Sequence, residues 1–130
     1  MHNIAQFHTF DEMAAVLSEN TPHALVQDWW ARLEGTIRNR VIAGSANRRR
    51  SISELINSCL AQRLGVAPKL IRELHSMRLL RNKCAHGDAP PLTADQARNF
   101  AHRAWTIAWN FEVLADKLSS NYRIERTREP

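Results

Sequence analysis

The sequence predicts an all-α protein: an antiparallel bundle of four to five helices over residues 1–120, followed by a polar tail over residues 121–130. Alanine and leucine together number 30 of the 130 residues, against 13 for valine and isoleucine, and helices favour the first pair. Only four glycines occur, and no stretch alternates apolar and polar residues as a strand does. The predicted connections are short, which is typical of antiparallel neighbours.

The first two predicted helices lie in the N-terminal part of the chain. A short one is expected over residues 10–18, with Thr9 as its cap. The second begins at Thr21, which caps it, and Pro22, which takes its first position, and it runs to about Ile42. Apolar residues recur along it at every fourth position and predict a buried stripe of Leu25, Trp29, Leu33, Ile37 and Val41.

The third and fourth predicted helices form the middle of the chain. The third begins at Ser51 or Ser53 and ends near Gly65. The fourth covers residues 68–85 and is stopped by Gly87. The side chains expected to face inward are Leu55, Ile56, Cys59 and Leu60 on the third helix, and Leu70, Leu74, Met77, Leu80 and Cys84 on the fourth.

The fifth predicted helix begins after Thr93, with Gln96 in position for a capping box, and runs to about Leu118. Steps of three and four residues give it a seam like that of a coiled coil, formed by Phe100, Ala104, Ile107, Phe111, Leu114 and Leu118. Trp105 and Trp109 fall on a neighbouring face. One side of this helix is therefore expected to face the core and the other a partner chain.

Composition and spacing exclude several classes of protein. No apolar run approaches the roughly 18 residues that span a bilayer, and the N-terminus lacks the basic and apolar regions of a secretory signal. We therefore expect a cytoplasmic protein that does not contact a membrane. Cys59 and Cys84 are expected to be small core residues. No Cys or His spacing predicts a metal site, and no cofactor is expected.

Positive charge is concentrated in the middle of the chain. The net charge is +5, and residues 48–83 hold nine Lys or Arg against two acids, while the remainder is slightly acidic. This basic patch indicates a polyanionic partner, most simply a nucleic acid, although a solvated basic face is the alternative. Arg48, Arg49 and Arg50 precede a helix start and are candidate contacts to an RNA backbone.

The fourth helix places a charged residue among its apolar ones. At 100° per residue, Arg81 lies about 40° from Met77, inside the stripe expected to face the core. A charge there is costly unless it is paired or opens onto a polar cleft, so one interpretation is an ion pair with Asp28 or Glu112. A polar flank rich in hydrogen-bond donors lies beside it, formed by His75, Arg78, Asn82 and His86.

The segment from Leu79 to His86, which reads Leu-Leu-Arg-Asn-Lys-Cys-Ala-His, resembles the Arg-x4-6-His signature of HEPN domains. The helices on either side of residues 64–66 resemble the two central helices of many bacterial HEPN proteins, so the resemblance covers residues 52–87. HEPN domains are four- or five-helix bundles that usually dimerise. Many are metal-independent RNases that act as toxins, in phage defence or in CRISPR effectors.

The resemblance implies that Arg81 and His86 are catalytic and meet those of a second protomer at a dimer interface, with Asn82 in the polar position that commonly follows the arginine. The chemistry agrees, because histidine acts as acid or base near neutral pH and arginine holds two phosphate oxygens. Further RNA contacts are expected from Arg78, Lys83 and His75.

Alternatives remain open for geometry and for function. Arg81 and His86 lie about 140° apart on an ideal helix, so either the helix ends near Ala85 and His86 swings round, or the site combines two chains. The leading expectation is a homodimeric endoribonuclease, a toxin or defence effector restrained by an antitoxin or another regulatory protein. The alternatives are a non-catalytic HEPN-like module that binds nucleic acid or protein, and a small transcriptional regulator without an obvious helix-turn-helix.

Core or interface positions are expected for Trp29, Trp30, Trp105 and Trp109.

Overall fold

The computed structural model describes residues 21–42, 47, 49–88 and 91–128. These residues form four helices and no strand, which confirms the prediction of an all-α fold. The helix expected over residues 10–18 lies outside the described residues. The helices are α1 (Pro22–Thr36), which continues as a π-helical segment (Ile37–Val41), α2 (Ile52–Glu54), which continues likewise (Leu55–Arg63), α3 (Pro68–His86) and α4 (Ala94–Arg128).

Side-chain caps begin α1 and α2 where the sequence predicts. The Thr21 hydroxyl accepts a hydrogen bond from the backbone N–H of Ala24 at 3.3 Å, and Pro22 follows at the first helical position. The Ser51 hydroxyl accepts from the backbone N–H of Glu54 at 3.2 Å. Each cap satisfies a backbone donor that has no partner inside its own helix.

A Schellman motif ends α3. Gly87 follows His86 with a φ of 75°, in the left-handed region that a residue with a Cβ adopts only at a cost. The backbone N–H of Asp88 donates to the carbonyl oxygen of Lys83 at 2.9 Å, which closes the motif. The chain therefore leaves the helix in a defined direction immediately after His86.

α4 begins with the predicted capping box but extends further than predicted. The Thr93 hydroxyl accepts from the backbone N–H of Gln96 at 3.1 Å, and the Gln96 side chain accepts from the backbone N–H of Thr93 at 2.9 Å. The helix continues to Arg128, so the prediction of an end near Leu118 is wrong. The apolar seam ends there, but neither glycine nor proline interrupts the chain before Pro130.

The core lies between α1 and α4, which pack most extensively, with α2 and α3 completing the bundle. The predicted inward positions of α1 and α2 are confirmed, with Val41 half-buried. On α4 the seam is buried as far as Phe111, whereas Leu118 is exposed. Trp29 and Trp30 belong to the core, but Trp105 is half-buried and 60% of Trp109 is exposed. The buried side chains of α3 are Leu74, Met77 and Cys84.

Ion pairs fix α4 from two sides. Arg40, in the segment that follows α1, donates to Glu112 and to Asp116, each at 2.7 Å. On the other side, Arg103 donates two hydrogen bonds to the carboxylate of Glu73 on α3. Exposed pairs of this kind add little stability, but they show which faces of α4 meet α1 and α3.

Candidate functional site

Arg81 is half-buried on α3, between the buried positions Met77 and Cys84. Its Nη1 donates to the Oδ1 of the neighbouring Asn82 at 3.2 Å. Within the described part of the chain, no carboxylate forms an ion pair with this guanidinium. The two acids that offered a structural explanation are engaged elsewhere, because Asp28 pairs with Arg32 and Glu112 pairs with Arg40. Arg81 therefore keeps most of its donors for another anion.

His86 is the last residue of α3, and its side chain is exposed. The helix does not end before His86, so the direction of this side chain follows from regular helix geometry. Five residues of helix separate it from Arg81 by about 7.5 Å along the axis and about 140° around it. The alternative in which the helix ends near Ala85 is therefore excluded, and within one chain Arg81 and His86 point in different directions.

His75 and Arg78 form a polar link between α3 and α2. His75 Nε2 lies 2.8 Å from Asn57 Oδ1, and Arg78 Nε donates to His75 Nδ1 at 3.3 Å. An imidazole that accepts at Nδ1 and donates at Nε2 is neutral. In agreement, burial and the neighbouring Arg78 lower the pKa of His75. Both ring nitrogens are occupied, so His75 positions α3 rather than acting as a free base.

Sequence reasoning missed Asn57, which completes this link. It lies on the exposed face of the segment that follows α2, where asparagine is an ordinary surface residue. Only the packing of α2 against α3 brings it to His75, a residue 18 positions further along the chain. No signal in the sequence pointed to this pair.

The other candidate RNA contacts are distributed over two elements. Lys83 is exposed one turn before the end of α3. Arg49 is exposed before α2, whereas Arg50, also before α2, donates to Glu54 and Ser58 of the helix that follows. Arg48 lies outside the described residues. Arg78, Arg81 and Asn82 lie within about 100° of one another on consecutive turns of α3, whereas Lys83 lies on the opposite side of that helix from Arg81. No described contact joins Arg49 or Arg50 to them.

Leu79 is the apolar residue of the outer face of α3, and half of its side chain is exposed. Lys83 and His86 follow it at spacings of four and three residues, which place all three on the same side of the helix. This outer face combines one large apolar side chain with a cation and an imidazole.

The two cysteines are buried and free, as expected for core residues. Burial raises the pKa of the Cys84 thiol, which keeps it protonated and unreactive at neutral pH. Among the described residues, no group of three His, Cys, Asp or Glu side chains is close enough to hold a metal ion. In the same part of the chain, no helix is both long and apolar enough to cross a membrane.

Comparison with known proteins identified no matching family model, no similar curated protein and no similar solved structure. The resemblance to HEPN domains therefore depends on the residues of α3 and on the order of the helices around them.

Proposed function

We propose that this protein is a metal-independent endoribonuclease that acts as a homodimer, with Arg81 and His86 as its catalytic residues. One observation carries the proposal: Arg81 is half-buried, and no carboxylate of the described chain neutralises it. A cation in such a place is costly unless an anion binds to it. An RNA phosphate has the charge and the paired oxygens that suit a guanidinium.

The reaction uses the 2′-hydroxyl of the RNA as nucleophile. Its proton passes to a neutral His86, its oxygen bonds to the adjacent phosphorus, and the bond from phosphorus to the 5′-oxygen breaks. The partner's His86, in its protonated form, donates a proton to the leaving 5′-oxygen. The products are a 2′,3′-cyclic phosphate and a 5′-hydroxyl. Arg81 stabilises the charge that gathers on the phosphate oxygens, and Asn82 orients Arg81.

The outer face of α3 is the surface on which the two protomers meet in this proposal. Leu79 supplies an apolar contact, and His86 lies on the same side of the helix. A twofold axis close to this face places the two His86 residues near each other. Arg81 lies about 140° from His86 around α3, so in this proposal it holds the phosphate from the flank of the helix rather than from the outer face. Lys83 and Arg78 then lie beside the RNA backbone.

An activity of this kind in the cytoplasm needs restraint, because it destroys the RNA of its own cell. The proposal therefore includes a regulatory partner, such as an antitoxin, and a role as a toxin or phage-defence effector.

The test is cleavage of total RNA by the purified protein in excess EDTA, with Arg81→Ala and His86→Ala variants. Arg72→Ala is the matched control, because Arg72 is an exposed cation on the same helix outside the motif. We expect 2′,3′-cyclic phosphate ends from wild type and Arg72→Ala, and a loss of at least about a hundredfold in the other two. Equal cleavage by all four proteins would assign the activity to a contaminant and overturn the proposal.

A second candidate is an RNA-binding module without catalytic activity. The observation in its favour is the separation of Arg81 and His86, which point in different directions within one chain. RNA binding without cleavage, weakened by Arg81→Ala but not by His86→Ala, is the result that would select it.

A further inference from the structure

A line of aromatic and charged side chains follows the outer surface of α4. Spacings of three and four residues place its members on one side of the helix. Trp105 is half-buried and Trp109 is 60% exposed, an unusual exposure for so large an apolar side chain. We call this line the α4 stripe, and it consists of Arg98, His102, Trp105, Trp109, Glu112 and Asp116.

The rings of the α4 stripe are already ordered in the single chain. The His102 and Trp105 rings stack with centroids 6.4 Å apart, and those of Trp105 and Trp109 with centroids 6.3 Å apart. Stacking restricts the rotamers of these side chains, so the rings lose less conformational entropy when a binding partner covers them.

The stripe lies at the edge of the bundle. Its C-terminal end borders α1, because Arg40 donates to Glu112 and Asp116. Arg103, which lies outside the stripe, holds α4 to Glu73 of α3. Trp105 packs partly against the core, whereas most of Trp109 is exposed.

Charge is arranged along the stripe with opposite signs at its two ends. Arg98 lies at the N-terminal end, and no carboxylate of the described chain forms an ion pair with it. Glu112 and Asp116 lie at the C-terminal end, and among the described residues both pair with one cation, Arg40. Asp116 also remains reachable, because 74% of its side chain is exposed.

We infer that the α4 stripe is a self-complementary surface on which a second copy of this chain docks in antiparallel orientation. A twofold axis that crosses the stripe at the level of residue 107, perpendicular to α4, opposes Trp105 to the partner's Trp109. The same axis opposes His102 to the partner's Glu112, and Arg98 to the partner's Asp116. One symmetry operation thus matches the aromatic centre with itself and each basic position with an acidic one, as an isologous interface requires.

A second copy fits these observations better than RNA does. Exposed tryptophans stack on bases in RNA-binding proteins, but there they lie in positively charged grooves. Here the aromatic pair is followed by Glu112 and Asp116, which repel phosphate. Arg98 and Asp116 are about 27 Å apart along the helix, enough for two helices to cover four indole rings.

A groove between α1 and α4 borders the stripe at Glu112. It is lined by Arg32, Gly35, Thr36, Asn39, Arg40, Ala108 and Glu112. The inference does not depend on the proposed function, because the α4 stripe and the outer face of α3 share no residue.

The first test measures mass in solution by light scattering after gel filtration. We expect Trp109→Gln to halve the mass of the wild-type particle while its circular dichroism stays unchanged, since Trp109 lies outside the core. A wild-type monomer at high micromolar concentration, or an unchanged mass for Trp109→Gln, would overturn the inference. So would a Trp109→Gln variant that keeps its mass and instead loses affinity for single-stranded RNA.

The second test separates antiparallel from parallel docking by disulfide cross-linking. We expect an equal mixture of Arg98→Cys and Asp116→Cys proteins to form a cross-linked dimer on mild oxidation, and Arg98→Cys alone to form none. Cys59 and Cys84 are buried and do not compete. Leu79→Gln in the same background controls for the α3 face and is expected to keep the cross-link. Cross-linking of Arg98→Cys with itself shows a parallel pair, and its occurrence would refute the antiparallel model.

Discussion

His75 donates through Nε2 to Asn57 Oδ1 at 2.8 Å, and this side-chain hydrogen bond connects α3 to the segment that continues α2. Arg78 donates to the opposite ring nitrogen of His75. The link requires a neutral imidazole, because a protonated ring offers no lone pair to Arg78 and carries a like charge beside it.

Acid is expected to destabilise the protein through this link. Burial and Arg78 lower the pKa of His75 below 6.5, so the unfolded chain binds a proton more readily than the native one. The contribution to the free energy of unfolding is fully present above pH 6.5 and is lost as the pH falls through the lowered native pKa. Urea unfolding measures the free energy of unfolding at about pH 7.5 and about pH 5. Between these pH values, we expect this free energy to fall less for His75→Gln than for wild type. Equal losses would exclude His75 as the source.

Alanine is expected to have opposite effects on stability at two glycines, Gly87 and Gly35, because only the first of them has a left-handed backbone. Gly87 has a φ of 75°, and a Cβ there would meet no other atom, so backbone strain alone decides the result. We expect Gly87→Ala to lower the free energy of unfolding by about 1–2 kcal/mol. Gly35, inside α1, has space for a Cβ and a helical backbone. Gly35→Ala is therefore expected to raise the same quantity by about 0.5–1 kcal/mol. Chemical denaturation measures both, and effects of equal sign would contradict the reasoning.

Two leucines of different burial test the location of the core. Leu33 is fully buried on α1, whereas half of Leu79 is exposed on α3. Leu33→Ala removes packed methyl groups and leaves a cavity, which costs about 2–5 kcal/mol of stability. Leu79→Ala is expected to change the stability of the dilute monomer by no more than about 0.5 kcal/mol. Urea denaturation at low protein concentration compares them, and a large loss for Leu79→Ala would place it in the core.

The ends of the helices could be predicted from the sequence wherever a nearby residue determines them. Thr21, Ser51 and Gly87 act within one turn of the helix end, so their effect does not depend on the rest of the fold. The end of α4 could not be predicted in the same way. Its apolar pattern stops at Leu118, but a helix can continue beyond its apolar stripe where no glycine or proline interrupts it, and none does before Pro130.

The candidate site could be predicted only in part, because some of its contacts depend on how the helices pack. The motif residues Arg81, Asn82 and His86 share one helix, so their spacing predicts their relative directions. The partners of Arg81 depend on which helices pack together, and the sequence left an ion pair with Asp28 or Glu112 open. The structure assigns those acids to Arg32 and Arg40 instead.

The guanidinium of Arg81 forms no ion pair with a described carboxylate, and this predicts the effect of a charge at Asn82. Asn82→Asp places a carboxylate where the amide oxygen now lies, 3.2 Å from Arg81 Nη1. An ion pair within the protein then competes with the RNA phosphate for the same donors. We expect affinity for single-stranded RNA to fall by about tenfold, or about 1.4 kcal/mol, and cleavage to fall with it. Asn82→Ala is the matched variant, because it removes the amide without adding charge and is expected to lose far less affinity. The loss in Asn82→Asp should also shrink as salt is raised, since added ions weaken both competing attractions. If the two variants bind RNA equally well at low salt, Arg81 does not hold the phosphate.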